Sequence, residues 1–138
     1  MRGLRTAMVA AMVCGTAGSA VAQLLECRGS QRQQEVAELL FGRMAGNRIV
    51  VSDIAFDRFV ARDIAPRFPD GLTVYNAVGH WRDPTTNKTN REPTKVVHIV
   101  LPGSAEDMQH LNEIVEAYKT QFKQQGVGMV VRPACVSF

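Results

Sequence analysis

The stretch LTVYNAVGHWRDPTTNKTNREPTKVVHIVL, residues 72–101, sets two strand-like runs side by side with only a polar loop between them. In the first run apolar residues alternate with their neighbours, which is the period of two expected for a half-buried strand. The second run, KVVHIVL (95–101), is rich in the β-branched residues that strands favour. With DPTTNKTN (83–90) as a hairpin loop, the sequence predicts an antiparallel pair. The predicted inward-facing residues of the first strand are Leu72, Val74 and Val78.

A helix is predicted on the N-terminal side of this hairpin. Ser52 is suited to cap its start, and Asp53 lies in its first turn, where N–H groups without helical partners favour acceptors and negative charge. Pro66 ends the helix, because proline inside a helix removes a hydrogen bond and clashes with the preceding turn. The apolar stripe at helical spacing is Phe56, Phe59, Val60 and Ile64.

A second helix is predicted on the C-terminal side. Ser104 and Asp107 form a capping box at its start. Gly126 lies just past its end, where a left-handed residue is expected. Apolar residues recur at alternating spacings of three and four, which makes this the clearest helix in the chain. The stripe consists of Met108, Leu111, Val115, Tyr118 and Phe122.

Two outer strands complete the pattern. EVAELLFGR (35–43) precedes the first helix, and VGMVV (127–131) follows the second. The order β-α-β-β-α-β predicts an α+β fold of the ferredoxin-like type, a four-stranded antiparallel sheet with both helices on one face. We expect a single α+β domain over residues 35–138, preceded by an N-terminal segment at 23–34.

The first 22 residues are typical of a signal peptide. Arg2 and Arg5 precede a short apolar region, and Ala20-Val21-Ala22 matches the small-x-small pattern that signal peptidase cuts. An uncleaved membrane anchor is the alternative, but glycines and hydroxyl residues interrupt the apolar run before it reaches the roughly 20 residues that a span needs. We therefore expect a mature chain that starts near Gln23, is periplasmic or secreted, and has no membrane span.

Removal of this leader changes the charge balance. The whole chain has a formal charge of +3, from 16 Lys and Arg against 13 Asp and Glu. Without Arg2 and Arg5 the balance is 14 against 13, a net charge of +1. Nucleic-acid-binding proteins usually carry a dense basic patch, whereas the two signs are interspersed here. The sequence therefore predicts no nucleic acid as a partner.

The mature chain retains two cysteines, Cys27 and Cys135, because Cys14 belongs to the leader. In an exported protein such a pair favours a disulfide. The predicted topology also pairs the last strand with the first, which brings the two cysteines together. Two free thiols are the alternative. Neither cysteine has further ligands at metal spacing, and no cofactor motif is present in the sequence, so we predict no metal and no cofactor.

The loop PRFPDG (66–71) connects the first helix to the hairpin. Its two prolines fix the backbone, and Asp70-Gly71 forms a turn. Arg67 and Asp70 have two interpretations. Either they pair with each other or with the following strand, or Arg67 binds an anionic group at the rim of the loop.

Strand alternation directs Tyr75 and Trp81 away from the helices. The loop at 83–90 implies a register in which Arg82 faces Arg91, Trp81 faces Glu92 and Tyr75 faces His98. That register gathers Tyr75, Trp81, Glu92 and His98 on the sheet face without helices. A face with such aromatic and apolar residues is expected to be covered. The candidates are a second subunit, a ligand, or the N-terminal segment held by Cys27.

The loop and strand motifs resemble an uncharacterised family of exported bacterial proteins, domain-of-unknown-function family 3574. The resemblance implies an exported location and this fold, and it brings no assigned activity. It covers nearly the whole mature chain, and its nine-residue motif PRFPDGLTV is specific. His80 replaces a more common glutamine, and Pro93-Thr94 replaces a serine context, so the family lends no support to chemistry at position 80. The matching pieces are Phe41-Gly42-Arg43, Pro66 to Val74, Gly79 to Asp83, Glu92 to Lys95 and Cys135 to Phe138.

Two classes of function remain. The first is a binding or interaction module that uses the open sheet face, as a homodimer or as the receptor of an unidentified small molecule or protein. The alternative is a small acid–base enzyme acting on an anionic small molecule, by analogy with other proteins of this fold. In it, His98 or His80 exchanges the proton, and Arg67 or Arg82 orients the substrate. The candidate binding residues are Arg67, Asp70, Tyr75, Trp81, Arg82, Glu92 and Lys95.

Overall fold

A computed structural model describes residues 26–138, so the predicted leader at 1–22 lies outside the described residues. Within these residues, two helices and six strands follow one another. The helices are α1 (Asp53–Phe59), which continues into a π-helical segment (Val60–Ile64), and α2 (Asp107–Phe122). The strands are β1 (Arg32–Gly42), β2 (Met44–Ala45), β3 (Arg48–Ile49), β4 (Thr73–Arg82), β5 (Thr89–Val100) and β6 (Gly128–Val136).

Four of the strands form one antiparallel sheet in the order β4-β5-β1-β6. The short strands β2 and β3 pair only with each other, in the region where the sequence predicts a turn. The α+β class, the four-stranded antiparallel sheet and the two helices are therefore as predicted. The predicted strands were too short, because β1 begins at Arg32 and β6 continues to Val136.

The first helix begins as its sequence predicts and then departs from α geometry. The Ser52 side chain accepts a hydrogen bond from the Ala55 N–H at 3.1 Å, which confirms the N-cap. After Phe59, a regular helix would bring Asp63 to the buried face four residues later. The π-helical turn adds one residue, so that Ile64 is buried there and Asp63 is only half-buried.

The second helix contains only half of the predicted capping box, and its C-terminal cap differs from the prediction. The helix follows Glu106, and the Ser104 hydroxyl donates to Asp107 Oδ1 instead of accepting a helix N–H. The Asp107 carboxylate accepts the N–H groups of Gly103 and Ser104 at 2.8 and 3.0 Å. At the C-terminal end the left-handed residue is Lys123, with φ of 53°, so the prediction of Gly126 was wrong. Because the helix stops at Lys123, Gly126 lies in the connection to β6.

The buried stripe of α2 also differs from its prediction. Met108 is 45% exposed, and Ile114 is fully buried although the sequence stripe omitted it. The spacing from Leu111 through Ile114 to Tyr118 is three and then four, which fits a helix as well as the predicted stripe does. The contact with the sheet, which the periodicity alone does not contain, selects between the two.

An aromatic cluster fixes both helices to the same sheet face. Phe41 of β1 lies 5.3 Å from Phe56 of α1 and 4.6 Å from Tyr118 of α2, measured between ring centroids and in edge-to-face geometry. Phe59 lies 5.2 Å from Tyr118 and closes the cluster. Edge-to-face contacts of this kind add to the free energy gained by burying the rings. The opposite face of the sheet carries neither α1 nor α2.

The predicted register of the hairpin was wrong by two residues. Tyr75 pairs with Val96, Trp81 with Asn90 and Arg82 with Thr89. The cause is a shorter loop: the Asp83 N–H donates to the Lys88 carbonyl at 2.9 Å, so residues 89 and 90 belong to β5. A shift of two residues leaves every side chain on its predicted face. Of the three residues predicted to face inward, Leu72 and Val74 pack against the core. Val78, farther along the same edge strand, is 47% exposed.

Candidate binding site on the open sheet face

The open face is the sheet surface opposite the helices, and alternation assigns its residues. Ala37 and Ile99, which lie next to Glu38 and His98 in sequence, are buried in the core on the helix side of the sheet. Since successive side chains of a strand point to opposite faces, Glu38 on β1 and His98 on β5 lie on the open face. Cross-strand pairing then extends the assignment to the outer strands. Its residues include Val36, Glu38 and Leu40 of β1, Thr73, Tyr75, Ala77, Gly79 and Trp81 of β4, Glu92, Thr94, Val96, His98 and Val100 of β5, and Val130, Arg132 and Ala134 of β6.

One end of the open face forms a groove with a cavity volume of about 1170 Å³. Val100 and Ala134 provide an apolar surface above the nearly buried Val36, and His98 and Arg132 provide hydrogen-bond donors. Residues 30–34, the turn at 70–73, Pro102 and the C-terminal residues 135–138 complete the lining. Polar and apolar residues contribute to the lining in about equal numbers. Small-molecule sites combine apolar surface with polar groups that fix the ligand's orientation.

His98 and Glu38 form a polar pair in this region of the open face. They are direct cross-strand partners, and His98 Nδ1 lies 3.3 Å from Glu38 Oε1. Arg132 lies farther away, with one guanidinium nitrogen 3.8 Å from the same carboxylate oxygen. The side chains of His98 and Glu38 are 35% and 29% exposed, so water or a ligand can reach them. A carboxylate bound to one imidazole nitrogen orients the ring and leaves the other nitrogen for proton exchange.

Sequence reasoning identified His98 but missed Glu38 and Arg132. The available signal was the charged Glu38 between Ala37 and Leu39 in an otherwise apolar strand. Its pairing with His98 depends on the β1–β5 register, which the sequence alone does not supply. Arg132 lies beyond the predicted end of the last strand at residue 131, so its side of the sheet was not assigned.

The two aromatic candidates lie on the open face as predicted, but they do not form a cluster. Tyr75 is 45% exposed and Trp81 is 46% exposed. Both belong to the edge strand β4 and are six residues apart, which is roughly 20 Å along a strand. Neither lines the groove. Glu92, opposite Gly79, belongs to the same half of the face.

Lys95 faces the helices, not the open face. Its side chain is 9% exposed, and its Nζ lies 2.6 Å from Asp53 Oδ1. An Arg43 guanidinium nitrogen lies 3.2 Å from the same oxygen. Hydrogen bonding by Lys95, together with the charge of Arg43, holds the pKa of Asp53 below its ordinary value. Lys95 therefore anchors the start of α1.

Arg67 and Arg82, two further charged candidates, do not line the groove. Arg67 donates to Glu113 Oε2 at 3.2 Å and to the Asp63 carbonyl at 2.6 Å, so its partners are not Asp70 or the following strand. Arg82 donates to the Asn87 carbonyl at 3.3 Å within the hairpin loop. Of the predicted binding residues, Asp70 alone lines the groove, at its rim. His80 is exposed, and by strand alternation it points to the side of β4 opposite Trp81.

The predicted disulfide is present in the structure. Cys27 and Cys135 are bonded, with their Cα atoms 5.3 Å apart, and Cys135 lies in β6 opposite Gln33 of β1. Cys135 also lines the groove, so the bridge ties the N-terminal segment to the strand that borders it. No helix within residues 26–138 has both the length and the apolar character needed to cross a membrane.

Solved structures of a phage SAM lyase share this fold. A phage SAM lyase in complex with S-methyl-5′-thioadenosine aligns with a TM-score of 0.56 and 15% identity, covering 83% of this chain and 95% of the lyase. A phage SAM lyase in the apo state aligns with a TM-score of 0.56 and 19% identity, covering 83% and 91% of the two chains. At this identity the likeness concerns the fold alone. No curated protein matches the chain.

Residues 36–138 match a protein family described as "Protein of unknown function (DUF3574)". The matched region contains the groove strands, both helices and the PRFPDGLTV motif. It therefore agrees with the resemblance that the sequence motifs indicate. The chain belongs to family DUF3574, whose function is unknown.

Proposed function

We propose that this protein is an exported binding module whose open face takes a small organic molecule in the groove. The observation that carries the proposal is the combination of an apolar surface with donor groups in one concavity of about 1170 Å³. Val100 and Ala134 would contact an apolar part of the ligand, and Arg132 and His98 would bind an anionic or hydrogen-bond-accepting part.

The export and fold proposals have separate support. A disulfide between Cys27 and Cys135 fits an oxidising compartment outside the cytoplasm. The strand order β4-β5-β1-β6, with both helices against Phe41, supports the ferredoxin-like topology. We assign residues 35–138 to a single domain of this type.

A matched pair of variants on β6 tests the groove. Ala134 lines it, whereas Val130 lies on the same strand and the same face but outside the lining. Ala134→Arg should fill the groove, and Val130→Arg should add the same charge without doing so. The mature protein and both variants are incubated with a small-molecule extract of the periplasm and measured by native mass spectrometry.

We expect a bound mass on the wild type and on Val130→Arg, and its loss from Ala134→Arg. Thermal melts establish that both variants fold. A wild type that acquires no ligand would contradict the proposal, as would equal retention by the two arginine variants.

The second candidate is the acid–base enzyme, which the 3.3 Å contact between His98 and Glu38 favours. In this proposal Glu38 orients the imidazole of His98, which then exchanges a proton with a substrate in the groove. The fold likeness to a phage SAM lyase makes S-adenosylmethionine the first compound to assay. Release of S-methyl-5′-thioadenosine by the wild type, and its loss in His98→Gln with Val130→Arg unchanged, would establish catalysis. An enzyme that acts on other compounds would show the same dependence on His98 and Glu38.

A further inference from the structure

The outer edge of β4 carries backbone groups without partners in the sheet. Within residues 26–138, β4 pairs only with β5. The Asp83 N–H donates to the Lys88 carbonyl, so odd-numbered residues of β4 direct their N–H and C=O groups towards β5. Even-numbered residues direct theirs outward, away from the sheet. These residues are Val74, Asn76, Val78 and His80.

The other edge strand of the sheet, β6, is protected against pairing with a further strand, and β4 is not. The Leu101 N–H donates to the Glu35 carbonyl, so Glu35 directs its backbone groups towards β5. Its partner on β6 is Pro133, whose ring nitrogen therefore faces outward and interrupts that edge. A proline on an edge strand is a common protection against pairing with another chain. Strand β4 contains no proline, and its charged residue, Arg82, is at one end.

Large hydrophobic side chains flank the free edge on both sides. Tyr75 and Trp81 are 45% and 46% exposed on the open face, and Val78 is 47% exposed on the other face. A long edge strand with exposed apolar side chains on both faces is suited to pairing with another strand. The ten residues of β4 have the length for such a pairing.

We propose that a second copy of this chain pairs with β4 antiparallel, with the two-fold axis at Ala77, to form a continuous eight-stranded sheet. In this register Tyr75 lies beside the partner's Gly79, and Trp81 lies beside the partner's Thr73. Each large ring is next to a small side chain, and an aromatic ring across from a glycine is a stabilising cross-strand pair.

Gly79 supports this register from within one chain. A Cβ atom at position 79 would lie 3.0 Å from Thr94 Oγ1, so a larger residue there would require the Thr94 side chain to shift. The absence of a side chain leaves a gap on the open face of the edge strand. The ring of Tyr75 from a second copy is of a size to cover it.

The charges of β4 favour the antiparallel orientation. A parallel pair in register would place the two Arg82 residues side by side, and adjacent like charges destabilise a strand pair. The antiparallel pair places them at opposite ends. Val78 of one copy then lies across from Asn76 of the other, next to the two-fold axis. A new charge at position 78 would therefore have a large effect on pairing.

Two exposed valines provide matched variants for the test. Val78 on β4 and Val130 on β6 are 47% and 45% exposed and lie on the two edge strands. Sedimentation equilibrium of the mature chain over a range of concentrations is expected to show a dimer. Val78→Lys should weaken dimerisation by at least a factor of about ten, since the lysine added to one chain lies close to the lysine added to the other. Val130→Lys should leave it unchanged, with thermal melts as a control for folding.

Cysteine crosslinking tests the register. Ala77→Cys places two thiols across the axis at a non-hydrogen-bonded pair, where Cα atoms are about 4.5 Å apart and a disulfide can form. Thr73→Cys places its two thiols roughly 26 Å apart. We expect a covalent dimer from Ala77→Cys and none from Thr73→Cys.

A wild type that stays monomeric up to its solubility limit would overturn the proposal. So would a dimer equally sensitive to the two lysine variants, or equal crosslinking of the two cysteine variants. The groove variant Ala134→Arg is expected to remain dimeric, so the edge proposal and the proposed ligand site are tested independently.

Discussion

The ammonium group of Lys95 lies 2.6 Å from Asp53 Oδ1, and the two side chains differ greatly in exposure, at 9% and 64%. Arg43, with 10% of its side chain exposed, lies 3.2 Å from the same oxygen. One accessible carboxylate therefore neutralises two cations that are held largely away from water. Since an uncompensated buried charge is costly, this carboxylate is expected to matter more than an ordinary surface acid.

Asp53→Asn should lower the thermal stability at neutral pH. The pKa of Asp53 is lowered in the folded state, mainly by its hydrogen bond with Lys95. A lowered pKa means that the carboxylate stabilises the fold above the ordinary value of 3.8 and that this contribution is lost as the pH falls through the folded value. The melting temperatures of wild type and variant should therefore converge in acid.

Asp57→Asn is the matched control, because Asp57 lies on the same helix and is exposed. Melting curves from neutral pH down to the acid range should show little effect of this change. A constant difference between Asp53→Asn and wild type at every pH would rule out the charge as the cause.

Tyr118→Phe should destabilise the protein by about 1 to 3 kcal/mol. The Tyr118 hydroxyl donates to the Gly42 carbonyl at 2.8 Å, and its removal leaves that carbonyl at the end of β1 without this donor. Burial raises the pKa of Tyr118, so the phenol remains protonated and the loss should be the same across neutral and mildly alkaline pH. Urea denaturation measures it. Tyr75→Phe, on the exposed ring, is the control and should change the stability much less.

Cys135→Ser should lower the free energy of unfolding by about 2 to 5 kcal/mol, the usual cost of losing a native bridge from a small secreted domain. The bond between Cys27 and Cys135 links residues 108 positions apart and ties the N-terminal segment to β6. Reductant should lower the free energy of unfolding of the wild type by the same amount as the substitution does, as measured in denaturant melts. Two titratable thiols in the unfolded, non-reduced mature protein would contradict a native bridge.

Periodicity was sufficient to predict the two helices and the four strands of the main sheet in their order, because a burial pattern of period two or 3.6 is a local property of the chain. The stripe around Leu111 and Tyr118 and the cap at Ser52 are examples. It was insufficient where a distant contact selects between local alternatives. The π-helical turn that buries Ile64 and the choice of Ile114 over Met108 both depend on the sheet against which the helices pack.

The candidate site was less predictable than the fold for the same reason. Its central pair, His98 and Glu38, is 60 residues apart in sequence and meets only through the β1–β5 register. Lys95 was assigned as a binding residue because the sequence does not reveal its contact with Asp53 on another element. Residues within one loop or strand, such as Asp70 and Trp81, were placed correctly because alternation and turn chemistry determine their positions.

The exported form should begin at Gln23. Ala20-Val21-Ala22 follows a short apolar region behind two arginines, and this is the arrangement that signal peptidase recognises. N-terminal sequencing or intact mass measurement of the periplasmic fraction tests the prediction. Ala22→Arg should block cleavage, because the enzyme requires a small residue there, and Gln33→Arg in the mature chain should not. Recovery of soluble protein that still begins at Met1 would contradict export by this route.

Phe59→Ala and Trp81→Ala together test which sheet face is the core. Phe59 is fully buried between Phe41 and Tyr118, at 6.1 and 5.2 Å. Its truncation should therefore cost about 3 to 5 kcal/mol, as for other large aromatic side chains in cores. Trp81 is 46% exposed on the opposite face, and its loss should change the stability of the monomer by less than about 1 kcal/mol. Urea denaturation at low protein concentration separates this effect from any loss of dimer, which sedimentation measures in parallel. If Trp81→Ala unfolded as readily as Phe59→Ala, the indole would belong to the core, and the assignment of the open face on which the groove and the β4 edge depend would be wrong.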